Sequence, residues 1–424
     1  MKDAKIATKS VHAGYKAESG EPLALPIKQA TTYRYYHGAD VAALFDLESA
    51  NYMYSRLGNP TVGALEEKLC ALEGGTAAVA TSSGQAATLC TVLNICQAGD
   101  HILSGASIYG GTYNLLDVTL RRFGIETDFI PYGATKEEII KLAKPNTKLL
   151  FGETLANPAL NILDFDTYGA AAKELNVPFV VDNTLATPAL CRPFEHGANI
   201  VVHSTTKYSD GQGLAVGGIL IENGSFDWNG GKYSTLTEPD ESYPGLTFYD
   251  KFGPAAFCVR APAALLRDFG CPAAPFNAWL TYQGLNTLAI RMEKHVANAQ
   301  KVAEFLQRHD KVASVKYPGL PTDEDYENAQ RYLGGAGGGV VCFTVKGGKA
   351  GGEVFQKNLD LISVAVHVGD LHSCVLHPAS TTHRQLSESD QIAAGIDPGL
   401  VRYSVGLEDI DDILADLEKA LAAV

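Results

Sequence analysis

Short apolar segments alternate with amphipathic stretches between about Asn59 and Gly218. Apolar runs of this length, set between longer helical patterns, are typical of buried strands. Alternating strands and helices are joined by right-handed crossovers, so they build a mostly parallel sheet with helices on both faces. The segments are Ala77–Ala80, His101–Leu103, Lys148–Phe151, Pro178–Val181, Asn199–Val202 and Gly218–Ile221.

The regions on either side of this α/β pattern are organised differently. The first fifty or so residues combine turns and aromatic residues without a sustained period, which indicates an arm packed on other structure. After Pro254 a long helical region is followed by a strand-like segment, Val340–Val345, and a closing amphipathic helix near Ile410–Leu421. We therefore expect an arm at 1–58, an α/β domain at 59–260 and a smaller C-terminal α+β domain at 261–424.

Composition excludes several classes of protein. The 424 residues are 46% hydrophobic and 19% charged, as in ordinary globular chains, and the formal charge of −14 argues against a nucleic-acid or anionic-membrane surface. The chain starts without a signal-peptide pattern, and no apolar run approaches the ~18 residues of a membrane span. Eight cysteines without a C-x-x-C pair indicate free thiols in a reducing compartment. These features predict a cytoplasmic protein.

Three predicted strands end in residues with unusual chemistry. Residues 81–85 (TSSGQ) open a helical stretch and suit a phosphate, although a capped helix start is the simpler alternative. Asp182 ends an apolar strand, where a buried carboxylate needs a cation unless it caps a helix. Lys207 follows the strand and hydroxyls of residues 200–206, where it is either solvated or a nucleophile with a lowered pKa.

Together these three strand ends fit one ligand, pyridoxal phosphate. That cofactor needs a lysine for covalent attachment, a carboxylate for its ring nitrogen and a cradle for its phosphate. A dinucleotide site is disfavoured because the glycines at 211, 213 and 217 have the wrong spacing, and no Walker motif is present. His377 and His383 flank a hydroxyl-rich turn but lack a pattern of partner ligands, so structural histidines are favoured over a zinc site. We expect no metal.

The sequence resembles the Cys/Met-metabolism family of pyridoxal-phosphate enzymes, a group of fold type I. The resemblance covers nearly the whole chain and depends on several separated motifs. They are YSRLGNPT at 54–61, SSG at 82–84, ETLANP at 153–158, DNT at 182–184, HSTTK at 203–207, HPAS at 377–380 and LVRYSVGLED at 400–409.

This resemblance implies a role for each matching residue. Lys207 would bind the cofactor covalently and move protons, Asp182 would pair with the ring nitrogen, and Tyr109 would stack on the ring and assist the leaving group. Asn157 would contact the ring oxygen and the substrate carboxylate, which Arg402 would bind as a bidentate partner. The phosphate would be held by Gly84, Gln85, Ser204 and Thr206, with Tyr54 and Arg56 reaching in from a neighbouring subunit, and Ser380 would join the substrate site. The implied assembly is a tetramer of dimers that share active sites.

The subclass within the family depends on three further features. The segment from Asp227 to Tyr243 resembles the insertion of the O-acetylhomoserine sulfhydrylases, and Gly111 stands where methionine γ-lyases usually carry a cysteine. Residues 210–213 (DGQG) depart from the family's usual Gly-Gly-His-Gly. We expect replacement of the γ-acetoxy group of O-acetyl-L-homoserine by sulfide or methanethiol.

Two other classes of function remain as alternatives. Within the same chemistry, the chain could be a methionine or cystathionine γ-lyase or a cystathionine γ-synthase. A non-catalytic relative with the same fold is disfavoured by the presence of Lys207, Asp182 and Arg402.

Overall fold

A computed structural model of the chain describes residues 3–382, 384–385 and 397–424, which form two units. Unit 1 comprises the chain up to Thr154 together with Asp164–Thr184 and Arg192–Thr287. Unit 2 comprises Leu155–Leu163, Leu185–Cys191 and the chain from Leu288 onward.

The centre of unit 1 is a seven-stranded sheet in the order β1-β7-β6-β5-β4-β2-β3. The strands from β3 to β6 pair in parallel, and β7 runs antiparallel to both of its neighbours. This confirms the mostly parallel sheet predicted from the sequence. The strands are β1 Ala77–Thr81, β2 His101–Gly105, β3 Glu126–Ile130, β4 Thr147–Glu153, β5 Phe179–Asp182, β6 Ile200–His203 and β7 Gly218–Glu222.

Six of these strands coincide with the six apolar segments of the sequence, and β3 is the exception. The central strands are buried on both faces, which is why they consist almost entirely of apolar residues. By contrast, β3 lies at the edge of the sheet and carries Glu126, Thr127 and Asp128. An edge strand with one solvated face needs no continuous apolar run, so β3 has no signal of that kind.

Helices cover the sheet of unit 1. They are α1 Ile6–His12, α2 Gly38–Phe45, α3 Pro60–Glu73, α4 Gly84–Ile95, α5 Gly110–Asn114, α6 Lys136–Leu142, α7 Phe165–Leu175, α9 Ser234–Thr237, α10 Phe248–Phe252, α11 Ala256–Arg260, α12 Arg267–Phe269 and α13 Pro275–Leu285. The start of α3 is fixed by Asn59, whose side chain accepts the backbone N–H of Thr61, and by Pro60 in the first turn.

The N-terminal segment is attached to unit 1 through its backbone carbonyls. Lys68 donates to the carbonyl of Ser10 at 2.6 Å, and the Tyr282 hydroxyl donates to that of Ala13 at 2.9 Å. The Trp279 indole N–H donates to the carbonyl of Leu25 at 2.9 Å. Long polar side chains of the body therefore hold a segment that has little regular structure of its own.

The segment after β7 that resembles the sulfhydrylase insertion contributes to the core of unit 1. Trp228 is only 1% exposed and stacks on Phe257 with ring centroids 5.6 Å apart. The Tyr233 hydroxyl donates to the carbonyl of Lys148 on β4 at 2.9 Å. Aromatic burial of this size contributes substantially to the core, so this segment is a structural part of unit 1.

Unit 2 is built on a five-stranded sheet in the order β10-β11-β12-β9-β8, which confirms a second, smaller sheet domain. Its strands are β8 Val312–Lys316, β9 Val340–Val345, β10 Ser363–Val364, β11 Cys374–Leu376 and β12 Leu400–Ser404. Its helices are α8 Thr187–Leu190, α14 Leu288–Arg308, α15 Tyr326–Tyr332, α16 Gly348–Lys357 and α17 Ile410–Ala422. No helix among the described residues is long and apolar enough to cross a membrane.

Glu222, at the end of β7, is a buried acid that should make stability depend on pH. Its Oε1 accepts the backbone N–H of Cys258 at 2.8 Å, and burial raises its pKa to about 7. Because this pKa lies above the ordinary value, the folded protein keeps a proton that the unfolded chain releases. Stability should therefore fall as pH rises from the ordinary pKa of the group through about 7.

We expect Glu222→Gln to raise the free energy of unfolding by on the order of 2 kcal/mol at pH 8. Glutamine has the same shape, still accepts the Cys258 amide and does not ionise. At pH 5, close to the unfolded pKa, the gain should be below about 1 kcal/mol. Denaturant unfolding of parent and variant at both pH values measures the difference, and an equal gain at both or a loss at pH 8 would contradict a neutral native Glu222.

Candidate active site

The carboxyl ends of three adjacent parallel strands bring polar side chains to one edge of the sheet in unit 1. Glu153 is the last residue of β4, Asp182 of β5 and His203 of β6. Glu153 lies directly beside Asp182 in the strand register, and Asp182 lies beside Val202. Ligands of open α/β sheets bind at such an edge, so this is the candidate active site.

Asp182 is held by its neighbour Thr184. Its Oδ1 accepts the backbone N–H of Thr184 at 3.0 Å and the Thr184 hydroxyl at 2.5 Å. Within the described residues its other oxygen, Oδ2, makes no hydrogen bond. Burial raises the pKa of Asp182, while the Thr184 bonds and the neighbouring His203 act in the opposite direction. A cationic group placed against Oδ2 would relieve the cost of this carboxylate.

Lys207 lies in a series of turns that starts where β6 ends. Its backbone N–H donates to the carbonyl of Ser204 at 3.3 Å, and its own carbonyl accepts the N–H of Gly211 at 2.7 Å. The side chain is partly buried. The Thr184 hydroxyl that bonds Asp182 also accepts the backbone N–H of Ser204 at 2.8 Å. One hydroxyl therefore connects Asp182 to the turn that carries Lys207.

A small-residue cradle lies between the start of α4 and that turn. A Cβ on Gly84 would lie 2.6 Å from the Cβ of Ser204, so only glycine fits there. The Oε1 of Gln85 is buried without a hydrogen-bond partner in the described part of the chain. The Thr206 hydroxyl donates to the carbonyl of Gly217 at 3.2 Å and accepts its N–H at 3.1 Å. Backbone amides at a helix start and small residues suit an anion.

Tyr109 and Gly111 lie on the loop and helix after β2, next to Gln85. A Cβ on Gly111 would lie 2.5 Å from the Tyr109 ring and 2.6 Å from Nε2 of Gln85. The cysteine typical of methionine γ-lyases at this position would therefore require both side chains to move. The Tyr109 ring is 48% exposed, and its backbone N–H donates to Oε2 of Glu153 at 2.6 Å.

Unit 2 brings together Arg402 on β12 and Asn157. Arg402 donates from Nη1 to Oδ1 of Asn157 at 3.2 Å and from Nη2 to the carbonyl of His367 at 2.9 Å. Its Nε is buried without a hydrogen-bond partner in the described part of the chain. A guanidinium fixed on two sides with a donor left over is suited to a carboxylate.

Ser380 belongs to a different contact of unit 2. Its hydroxyl bonds Nδ1 of His377 at 2.8 Å, and it makes no hydrogen bond to Arg402 or Asn157 in the described part of the chain. Its place in the substrate site stays a prediction. His383, the second residue of the alternative zinc site, lies outside the described residues, and those that are described contain no group of three or more possible metal ligands.

Tyr54 and Arg56 lie in unit 1 outside the cradle. The Arg56 guanidinium carbon is 5.3 Å from the centroid of the Tyr54 ring. Across the described residues, Arg56 makes no hydrogen bond or salt bridge. Their proposed contact with the phosphate of a neighbouring subunit stays a prediction.

Asp210, which departs from the family's usual pattern, holds the loop after Lys207. It is fully buried, and its Oδ2 accepts the backbone N–H groups of Gln212 and Leu214 at 3.3 and 2.8 Å. The aspartate thus replaces a family glycine with a side chain that fixes the turn.

Three residues of the site are missed by reasoning from the sequence. Thr184 stands out there only as part of a motif, although a hydroxyl two positions after a strand-end aspartate is a signal for such a turn. Glu153 likewise stands out only as part of a motif, although it follows the predicted strand Lys148–Phe151 by two positions. His367 acts through its backbone carbonyl, which leaves no sequence signal.

A comparison with models of known protein families shows which family the chain belongs to. Residues 7–422 match the family model described as Cys/Met metabolism PLP-dependent enzyme. The chain belongs to this family. It is therefore a pyridoxal-phosphate-dependent enzyme, as the strand ends predicted, and the resemblance seen in the sequence is confirmed.

Individual relatives agree with this assignment. A protein of Leptospira meyeri named O-acetyl-L-homoserine sulfhydrylase is 46% identical over 98% of this chain and 96% of its own length. O-acetyl-L-homoserine sulfhydrylase 1 of Thermus thermophilus is 43% identical over 99% of this chain and 100% of its own. A Campylobacter jejuni structure assigned as an O-acetylhomoserine (thiol)-lyase, with N'-pyridoxyl-lysine-5'-monophosphate, has a TM-score of 0.95 and 37% identity over 99% of this chain and 100% of that chain.

The residues present in unit 1 fit this cofactor. Asp182 has an unused oxygen for a protonated ring nitrogen, the cradle at Gly84 offers a helix start and small residues that suit a phosphate, and Lys207 supplies the amine. The donor set therefore matches the chemistry that the family's cofactor requires.

Proposed function

We propose that this enzyme replaces the γ-acetoxy group of O-acetyl-L-homoserine with sulfide or methanethiol, giving homocysteine or methionine and acetate. The observation that carries this proposal is the 46% identity, over 98% of this chain, to a protein named O-acetyl-L-homoserine sulfhydrylase. Gly111 supports it, because the cysteine of the γ-lyases has no space beside Tyr109 and Gln85 as they are placed.

The residues of unit 1 would hold the cofactor and move protons. Pyridoxal phosphate, when bound, withdraws electrons from the bonds at the substrate's α-carbon. The Lys207 amine accepts the α-proton, and loss of a second proton at the β-carbon allows acetate to leave from the γ-carbon. The thiolate then bonds to the γ-carbon, and protons return to the β- and α-carbons. Asp182 keeps a proton on the ring nitrogen through its free oxygen. Gly84, Gln85, Ser204 and Thr206 bind the phosphate, and Tyr109 stacks on the ring and assists the leaving group.

Residues of unit 2 would bind the substrate's carboxylate. Arg402 presents a buried Nε–H that has no acceptor in the described part of the chain, and its other nitrogens are held by Asn157 and His367. A planar fork in this state binds a carboxylate with two parallel hydrogen bonds. Asn157 shares that carboxylate and the ring oxygen, and Ser380 joins the substrate site.

Product analysis tests the proposal directly. The purified enzyme is incubated with O-acetyl-L-homoserine and sulfide, and homocysteine and acetate are quantified against reactions without sulfide and without enzyme. Equimolar homocysteine and acetate are expected only when all components are present. Turnover of methionine or cystathionine without use of O-acetyl-L-homoserine would assign the enzyme to another branch of the family.

The assembly belongs to the same proposal. Residues 1–58 form an arm that places Tyr54 and Arg56 at the phosphate of a neighbouring subunit, and the cofactor is bound within residues 59–260. The enzyme is a homotetramer of dimers that share active sites, and it works in the cytoplasm within the sulfur amino-acid and transsulfuration reactions. Arg56 has no hydrogen-bond partner within the described part of its own chain, which supports a site that a second subunit completes.

Mixing two inactive variants tests the shared site. Arg56→Ala and Lys207→Ala should each have low activity, but a hybrid dimer contains one site with both residues intact. A closed, two-fold dimer is the symmetry that allows this exchange. We expect activity to recover to about a quarter of the parent value when subunits exchange at random in equal amounts. No recovery after exchange has been verified by mass labelling would place Arg56 in its own subunit's site.

A further inference from the structure

Glu153 is a buried carboxyl at the site to which the proposed chemistry assigns no role. It ends β4 beside Asp182, is only 5% exposed, and accepts the backbone N–H of Tyr109 at 2.6 Å. Tyr109 comes immediately before α5, so this contact fixes the point where the chain enters that helix.

The contact matters because it holds the backbone at the point from which the Tyr109 ring projects. Within the described residues the Tyr109 side chain makes no hydrogen bond and pairs with no other aromatic ring. The ring is about half exposed, and on the Gly111 side it meets a residue without a side chain. Holding the backbone of Tyr109 therefore helps to keep the ring in place.

The surroundings of Asp182 stabilise a negative charge better than those of Glu153 do. Two negative charges on adjacent buried strand ends repel each other, so protonation of one of the two carboxyls is favoured. Asp182 accepts two hydrogen bonds from Thr184 and lies near His203, whereas a single backbone donor bonds Glu153. Burial and the charge of Asp182 raise the pKa of Glu153 well above its ordinary value.

We propose that Glu153 is a positioning residue: a protonated acid whose carbonyl oxygen holds the Tyr109 amide and so sets where the Tyr109 ring meets the cofactor. Because it is neutral, the negative charge at these two strand ends stays on Asp182. This inference rests on the ring-stacking role of Tyr109 in the proposed function.

Two substitutions in the holoenzyme separate a neutral acceptor from a charged one. Glu153→Gln keeps the shape and the acceptor oxygen, so amide hydrogen exchange at Tyr109 and kcat should stay within about threefold of the parent. Glu153→Ala removes the acceptor, so we expect exchange at Tyr109 to accelerate at least about tenfold. Its kcat should fall by about 10-fold to 100-fold with little change in KM, since the ring and not the carboxylate site is displaced.

Glu153→Asp serves as the matched control, because it keeps the carboxyl but shortens its reach by one methylene. Its exchange at Tyr109 and its kcat should resemble those of the alanine variant. If Glu153→Ala fails to fold, the comparison of Glu153→Asp with Glu153→Gln tests the proposal. A glutamine variant as impaired as the alanine variant would overturn the proposal, and so would parent-like exchange and kcat in Glu153→Ala. The exchange measurement needs no substrate. It therefore tests the Glu153–Tyr109 contact even if the parent enzyme does not form homocysteine, which is the result that would contradict the proposed function.

Discussion

Replacing Lys207 with alanine should reduce turnover by at least about three orders of magnitude. Lys207 is the amine that the proposed chemistry uses both for covalent attachment of the cofactor and for moving the α-proton. The turn that carries it is fixed by Ser204 and by the Thr184 hydroxyl, so no other lysine is brought to the same place by these contacts. The loss should appear in kcat, and the variant should lack the visible absorption of a lysine-bound cofactor.

An exposed lysine of the same unit provides the control. Lys141 lies on α6 at the surface, and Lys141→Ala should keep full activity and the parent spectrum. Borohydride reduction followed by peptide mapping locates the attached lysine in the parent enzyme. A label on any lysine other than 207, or more than about a hundredth of the parent activity in Lys207→Ala, would contradict the assignment.

Replacing Asp182 with asparagine should leave the cofactor bound but lower kcat by at least about a hundredfold, which corresponds to roughly 3 kcal/mol. Asparagine keeps the Oδ1 that accepts both Thr184 bonds, so the local turn should survive. It cannot supply the negative charge that keeps a proton on the ring nitrogen. The variant thus separates the charge of Asp182 from its structural contacts.

The surface acid Asp117 supplies a matched control for this substitution. It forms an exposed pair with Arg121 at 3.8 Å, so Asp117→Asn should change neither kcat nor cofactor content. Cofactor content is measured by absorbance after exhaustive dialysis, and kcat by acetate release. A fall of less than about tenfold in Asp182→Asn with full cofactor content would contradict the ring-nitrogen role, since it leaves only about 1.4 kcal/mol to that charge.

The strands that carry the site could be predicted because they are buried on both faces. Burial requires apolar residues, so Val180 and Val202 identify their strands, and the polar residues that follow mark the strand ends. Residue types alone therefore indicate Asp182 and Lys207 as candidate site residues. The edge strand Glu126–Ile130 could not be predicted in this way, because one of its faces needs no apolar residues.

Contacts made through the backbone could not be predicted from residue types. The His367 carbonyl that accepts a hydrogen bond from Arg402, and the Tyr109 amide held by Glu153, are groups that every residue except proline has in common. Their importance arises from where the chain passes in three dimensions. The same limit applies to Gly111, whose lack of a side chain matters only once Tyr109 and Gln85 lie beside it.

The fate of the four-carbon unit after acetate leaves distinguishes a sulfhydrylase from a γ-lyase. A sulfhydrylase transfers this unit to a thiol, whereas a γ-lyase lets water release it as 2-oxobutanoate and ammonia. The measurement follows homocysteine and 2-oxobutanoate together from O-acetyl-L-homoserine as sulfide is raised to saturation, with methionine as a competing substrate. We expect homocysteine to become the main product and methionine to be cleaved more slowly than O-acetyl-L-homoserine is consumed. If 2-oxobutanoate remains the main product at saturating sulfide, or methionine is the faster substrate, the enzyme is a γ-lyase.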